Sequence, residues 1–430
     1  MDHEEEFLNS FFIQVTQLCF DKAKESVERE RESCRSGQMG PWGMLLMHLP
    51  QITLVERSYV DLGFLRIKNK GFLRKDNSLK TMYESLKGDL KRVEEMTKGT
   101  NAVGATVAEV SNQLCQFVTA RMQLMDFYEK MYNMSISNRP MNHPDLLQTI
   151  DAIILTHSLS CSHLALTAIK AALTLECEIL AQLMKAHVEI QNWKFLPSLM
   201  ALYGAQARMS AWERTLQNKE SWKLGFGATF LKTNQQPALY QWLVKLRSAI
   251  LSKCSLYFHT TLSQQASSGE MRSIMSRQNV DYYHKLQSFQ RKYDVLAVLI
   301  IFDSRGTQDS GPGYRHPKRE LEVGDDFSLI VCSPSVFLQK PLSHWDNIRE
   351  GIQDRYADLK AMDKIIFING QNQKECYTYA MYNIDPRMIL VTVFESGKQK
   401  DKVPHVTTFL TDLSIQLRCN KIYESLKISK

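Results

Sequence analysis

The residues best placed to do chemistry form small sets, and each set has a plainer structural explanation. His157 and Cys161 stand four residues apart, a spacing that can put two metal ligands on one helix face. They continue an apolar stripe and no second ligand pair accompanies them, so a buried core pair is the expectation rather than a metal site. Gly225-Phe-Gly227 is a fragment of a dinucleotide fingerprint without the strand that must precede it. Ser396-Gly-Lys398 echoes the end of a phosphate loop, but the upstream glycine is missing and the stretch reads as a hairpin turn. Asp294 and Asp303 flank one apolar run and read as end charges rather than a catalytic dyad. Asn133-Met-Ser135 spells a glycosylation sequon, which has no use in a reducing compartment.

The longer catalytic signatures are missing. No Gly-x-x-x-x-Gly-Lys-Ser/Thr loop, His-Glu-x-x-His, Gly-x-Ser-x-Gly or kinase set occurs. No catalytic, cofactor-binding or metal-ligating residue is therefore assigned, although a site assembled from distant residues carries no local motif. Two basic stretches are the candidate interaction surfaces. Arg66, Lys68, Lys70, Arg74 and Lys75 surround Phe72, and Arg315, Lys318 and Arg319 follow a Gly-Pro-Gly sequence. Both can meet a phosphate-rich or acidic surface. The plainer expectation for each is a solvated loop.

Composition narrows the class. The 430 residues suffice for two or three domains, and 44% hydrophobic with 23% charged content is globular. The net charge of +7 is spread among acids rather than clustered, which does not favour nucleic acid. Nine cysteines without a Cys-x-x-Cys pair suggest reduced thiols in the cytosol or nucleus. The acidic start, Met-Asp-His-Glu-Glu-Glu, does not read as a signal peptide. No apolar run approaches the roughly 20 residues that cross a bilayer, so a partner is expected to hold the chain at any membrane it visits.

Helical periodicity dominates residues 1–278. Leu8, Phe11, Phe12, Val15, Leu18 and Cys19 form one stripe, continued by a charged face over Asp21–Arg35. Val103 to Met131 marks a long helix, and Leu147 to Ile179 marks another that includes His157 and Cys161. Gly99 ends the helix before them, and Pro237 opens a later one. Helices with short connections and one-sided stripes pack as an up-and-down bundle.

Residues 279–430 read differently. Asp294–Asp303 is a short Val- and Ile-rich run, the mark of a strand buried on both faces. Strands follow at Phe327–Cys332, Lys364–Ile368, Cys376–Tyr382 and Met388–Phe394, with turns at Asn369-Gly370 and Asp385-Pro386. Ser343 opens a helix between the second and third strands, and Pro404 opens the last one. The fold class is α+β: a bundle over 1–278, then an α/β domain over 279–430 with a mainly antiparallel five-stranded sheet. This order of elements resembles the roadblock and longin families, small modules that serve in dimerisation and as platforms beside small GTPases.

Four stretches carry a more specific resemblance. They are Gly40–Pro50, Leu54–Arg66, Tyr293–Arg305 and Trp345–Leu359. Together they resemble the KICSTOR complex subunit 2 family over the whole chain. The resemblance implies a non-catalytic scaffold without cofactors on the cytoplasmic face of the lysosomal membrane. The implied partners are the kaptin, integrin-alpha repeat and seizure-threshold subunits of KICSTOR, and the GATOR complex that this assembly holds, restraining mTOR signalling under nutrient deprivation. Competing expectations are a direct binder of a small GTPase or an acidic membrane, and an enzyme with an unrecognised site.

Overall fold

The computed structural model describes residues 3–34, 40–65, 78–137, 141–217, 236–305, 326–335, 337, 343–361, 364–372, 375–396 and 399–427. Helices α1 (His3–Thr16), α2 (Phe20–Ser33), α3 (Pro41–Leu46) and α4 (Leu49–Val60) come first. They are followed by α5 (Leu79–Thr97), α6 (Ala102–Ile136), α7 (His143–His157), α8 (Thr167–Gln191) and α9 (Phe195–Gln217). Then α10 (Ala238–Tyr257), α11 (His259–Gln265), α12 (Ser268–Ser276) and α13 (Tyr282–Lys292) lead to the strands. The remainder is β1 (Ala297–Asp303), β2 (Phe327–Ser333), α14 (Ser343–Asp354), α15 (Tyr356–Lys360), β3 (Ile366–Asn372), β4 (Glu375–Asp385), β5 (Met388–Glu395), α16 (Gln399–Leu417) and α17 (Asn420–Glu424).

Local chemistry explains where several helices start and stop. The Ser78 hydroxyl accepts from the Thr81 N–H and the Asn101 side chain from the Gly104 N–H, which caps α5 and α6. Between those caps Gly99 takes φ +83, a left-handed turn that glycine makes without a Cβ clash. Ser267 and Glu270 form a reciprocal capping box at the start of α12. Consecutive helices from α5 to α9 pack on one another, the arrangement of an up-and-down bundle.

Four local expectations are corrected. The first stripe does not continue into one helix: Leu18 takes φ +61 and turns the chain between α1 and α2. The run from Leu147 to Ile179 is likewise two helices, because the chain leaves α7 after His157 and Cys161 takes φ +57 before α8. Asn369-Gly370 is not a turn but lies inside β3, paired with Thr378 and Tyr377 of β4. Pro404 lies inside α16 rather than at its start. Its ring removes one helical hydrogen bond, a loss outweighed by the packing of Val406, Leu410, Leu413 and Leu417.

The sheet is antiparallel throughout, in the order β2-β1-β5-β4-β3. All of β1 is buried, as its unbroken apolar run requires. Its side chains alternate between two cores. Val298, Ile300 and Phe302 join a core that runs from Leu8 of α1 to Leu426 beyond α17. Ala297, Leu299 and Ile301 join a smaller one with Ile348 and Ile352 of α14 and Leu359 of α15. Thus one sheet face packs on the bundle helices and the other on α14 and α15. Gly351 lets α14 approach closely, since a Cβ there would sit 2.7 Å from Ile368 Cδ1.

Ile300 is fully buried at the centre of this arrangement. Ile300→Ala is expected to lower stability by about 2–5 kcal/mol in urea unfolding. A loss below about 1 kcal/mol would mean that the sheet does not depend on this contact.

Candidate functional site

Among the described residues, those singled out for chemistry do not converge. His157 ends α7, where its Nε2 meets Gln123 Oε1 at 2.8 Å and its Nδ1 meets Ser160 Oγ at 3.3 Å. Cys161 is buried beyond the helix end and donates to the Gln113 carbonyl at 3.7 Å. The pair therefore shares no helix face, and the expected core pair is not formed. Asp303 is held by Arg305, with its carboxyl lowered on balance by that guanidinium despite the opposing effect of burial. Ser396 follows β5 and meets Thr378 Oγ1 at 3.0 Å; the chain goes from there to α16, so the segment is not a hairpin. Gly397, Lys398 and Gly225–Gly227 lie outside the described residues. So do Arg66, Lys68, Lys70, Arg74, Lys75, Arg315, Lys318 and Arg319. Among the described residues no cluster of three or more His, Cys, Asp or Glu could hold a metal ion.

Two buried polar seams were not apparent from the sequence. The first joins four helices around Arg121 of α6. Its guanidinium donates to both oxygens of Glu56 on α4, at 3.1 and 2.9 Å, and to Glu176 of α8. The hydroxyls of Tyr59 and Tyr128 donate to Glu176 Oε1 at 2.6 and 2.9 Å, and Tyr83 of α5 donates to Glu56 at 2.6 Å. The Tyr59 ring lies 4.3 Å from the guanidinium carbon. Burial, helped by the two carboxylates, raises all three phenols well above their usual range, so they remain donors. Two carboxylates against one guanidinium would leave excess negative charge, which the three hydroxyls stabilise. The trace in the sequence is a charged residue set within an apolar stripe: Glu56 lies between Ile52 and Tyr59, Arg121 between Phe117 and Leu124, and Glu176 between Leu173 and Ile179.

The second seam crosses from the bundle to the sheet. Lys253 of α10 is fully buried, with its ammonium 2.5 Å from Asp385 Oδ2 at the end of β4. That contact is ionic rather than a directed hydrogen bond, whereas the Tyr257 hydroxyl donates to the same oxygen at 2.7 Å. Arg418 donates to the carbonyls of Ile384 and Asn383 at 2.8 and 2.6 Å. Beside them His143 of α7 and His187 of α8 stack with ring centroids 4.0 Å apart. Tyr423 of α17 meets His187 Nε2 at 3.2 Å, and Gln191 meets His143 Nδ1 at 3.1 Å. Burial is the main cause that lowers both histidines, His143 to about 3, with the Lys253 charge adding to it.

The seams hold elements in place without presenting a reacting group. Burial pushes the thiols of Cys115 and Cys161 up to about 11 and those of Cys177, Cys254 and Cys419 to about 12, which makes them poor nucleophiles. A cleft of about 500 Å³ between α6 and α7 has Phe127 and Ile153 in its wall. Its charges are paired with one another or with a neighbour, Lys130 with Asp145 at 2.7 Å and Lys80 with Asp126 at 2.6 Å.

Apolar surface is more prominent. Leu196, Leu199, Met200 and Tyr203 line one outward stripe of α9, and Tyr203 is 74% exposed. The intervening Ala201, Leu202 and Ala205 face inward and are buried. Leu155, Leu159 and Leu164 project where α7 gives way to α8, and Leu159 is 87% exposed. Clustered exposed side chains of this kind mark contact surfaces.

The family model described as KICSTOR complex C12orf66 like matches residues 1–430. The chain belongs to this family. A KICSTOR subunit 2 from Xenopus laevis is 36% identical, covering 99% of this chain and 96% of that protein. One from Danio rerio is 34% identical over the same shares of each chain. Membership in a family of complex subunits accords with the exposed apolar side chains on α9 and where α7 gives way to α8. No described helix is long and apolar enough to cross a membrane.

Two measurements probe the seams. Glu176→Ala removes the acceptor of Arg121 Nη1 and of the Tyr59 and Tyr128 hydroxyls, leaves three buried donors unpaired, and should cost about 3–5 kcal/mol in equilibrium unfolding. Asp126→Ala, which breaks an exposed pair with Lys80, should cost under about 1 kcal/mol. Because the folded histidines stay neutral while unfolded ones take up protons below about pH 6.5, stability should fall as pH drops through that point. Each contributes up to about 1.4 kcal/mol per pH unit. His187→Phe should flatten the slope between about pH 6.5 and 4.5; an unchanged slope would contradict the assignment.

Proposed function

We propose that this chain is a non-catalytic scaffold subunit of KICSTOR, docking the kaptin, integrin-alpha repeat and seizure-threshold subunits through its surfaces. The observation that carries the reading is the family match over the entire chain, supported by relatives covered along 96% of their length. In this reading the assembly helps recruit GATOR to the cytoplasmic face of lysosomes. It thereby restrains mTOR signalling when amino acids or glucose are scarce. The chain reaches the membrane through its partners.

The structure suggests how one subunit can serve several partners. The α9 stripe offers a rigid apolar row of four exposed side chains on a helix backed by the bundle core. A helix face of this kind fits another subunit's apolar surface better than a small ligand. The division into a bundle over 1–278 and an α/β domain over 279–430 is part of the proposal, with the two parts serving different contacts. The basic residues Arg66, Lys68, Lys70, Arg74 and Lys75, with Arg315, Lys318 and Arg319, form an auxiliary contact to an acidic surface.

Leu199→Asp combined with Tyr203→Asp places two charges in the exposed stripe without entering the core. Recovery of at least one other KICSTOR subunit with the tagged chain should fall at least tenfold, while the thermal unfolding of the purified variant stays unchanged. Unchanged recovery of every subunit would remove α9 as the docking face.

A further inference from the structure

The two edges of the sheet differ in how they are protected. β3 pairs with β4 in unbroken register from Ile366↔Met381 to Asn372↔Glu375. Its outer side receives no backbone hydrogen bond from the described residues. Alternate N–H and C=O groups of β3 therefore point away from the sheet, a ready template for another chain. Proteins blunt such edges with charge, proline, a bulge or a covering element. Ile366-Phe-Ile-Asn-Gly-Gln-Asn372 contains no charged residue and no proline, and its register has no shift.

The opposite edge is protected. The register of β2 with β1 shifts between Ile300 and Ile301, a local irregularity that interrupts a flat edge. The Thr260 hydroxyl of α11 donates to the Ile330 carbonyl at 3.0 Å, and both α11 and α13 pack beside β2. One edge is thus covered by the fold's own helices. The other is left long, regular and uncharged.

We propose that β3 accepts an extended segment of a different protein as a sixth strand, joined main chain to main chain. The side chains define that segment. Ile366 and Ile368 face the α14 side, while Phe367 faces the opposite side and is 37% exposed. The occupant therefore carries β-branched or aromatic residues over about five to seven positions, without proline. Neighbours of this type on each face add cross-strand contacts with the isoleucines and with Phe367. A second copy of the same strand fits poorly. Full-length antiparallel self-pairing centres on Asn369 and sets Ile366 opposite Asn372, Phe367 opposite Gln371 and Ile368 opposite Gly370.

The test is amide hydrogen exchange on the full chain, isolated and in the native assembly purified from cells through a tag on this chain. The outward amides of β3 should exchange at least tenfold more slowly in the assembly. Phe367→Lys, at an exposed position, should abolish that protection without lowering the melting temperature of the isolated chain. Equal exchange in the two states would overturn the proposal, as would protection that survives the variant or a chain that purifies alone. Protection appearing in the isolated chain at high concentration would assign the edge to a second copy and overturn it as well. Mass spectrometry of the same sample identifies the subunits, so failure of the KICSTOR reading and failure of this one are seen separately.

Discussion

Val298, Ile300 and Phe302 of β1 press into the same core as the side chains of α1, α4, α6 and α8. Most of the architecture depends on that contact. It leaves β1 buried on both faces, because Leu299 and Ile301 are covered by α14 from the other side. Once the sheet is sandwiched, its faces are used up as free surfaces. What remains for partners is the outside of the bundle, the outside of α14 and α15, and the sheet edges. A protein so built offers separate contact regions on one body, which suits a subunit that must hold others in fixed relation.

The polar seams act on the same constraint. A core shared between helices and strands can slide unless something fixes register, and purely apolar packing does so only weakly. The bidentate contact from Arg121 to Glu56, with Glu176 and the tyrosines, sets four helices against one another with directional bonds. The Tyr257 hydroxyl does the same between α10 and the β4–β5 hairpin through its bond to Asp385, beside the ionic contact of Lys253. Such buried pairs contribute little net stability compared with apolar replacements, yet they are costly to break. Their value here lies in specifying one arrangement of bundle and sheet.

Much of the framework was legible from local pattern. β1, β2 and β5 announce themselves as β-branched apolar runs, and a continuous run such as Val295–Phe302 can be satisfied only by cover on both faces. The long helix from Ala102 follows from its apolar stripe, while the Asn101 cap that starts it came only with the structure. The helix breaks at Leu18 and Cys161 were not legible, since neither is the glycine or asparagine that usually marks a left-handed turn. The Asn369-Gly370 pair misled for the opposite reason: it has turn chemistry, but cross-strand pairing with Thr378 and Tyr377 keeps it extended. The seams were hidden because their members are far apart in the chain, 65 residues from Glu56 to Arg121 and 55 from there to Glu176. Surfaces for partners leave still less trace, because an exposed leucine on α9 and a buried one obey the same helical period.

Native mass spectrometry of the tagged chain, purified from nutrient-starved cells, decides whether this protein works as a KICSTOR subunit. One assembly is expected, in which this chain and the other KICSTOR subunits appear in a fixed ratio. A chain that is recovered alone, or in stable union with an unrelated protein, would contradict it.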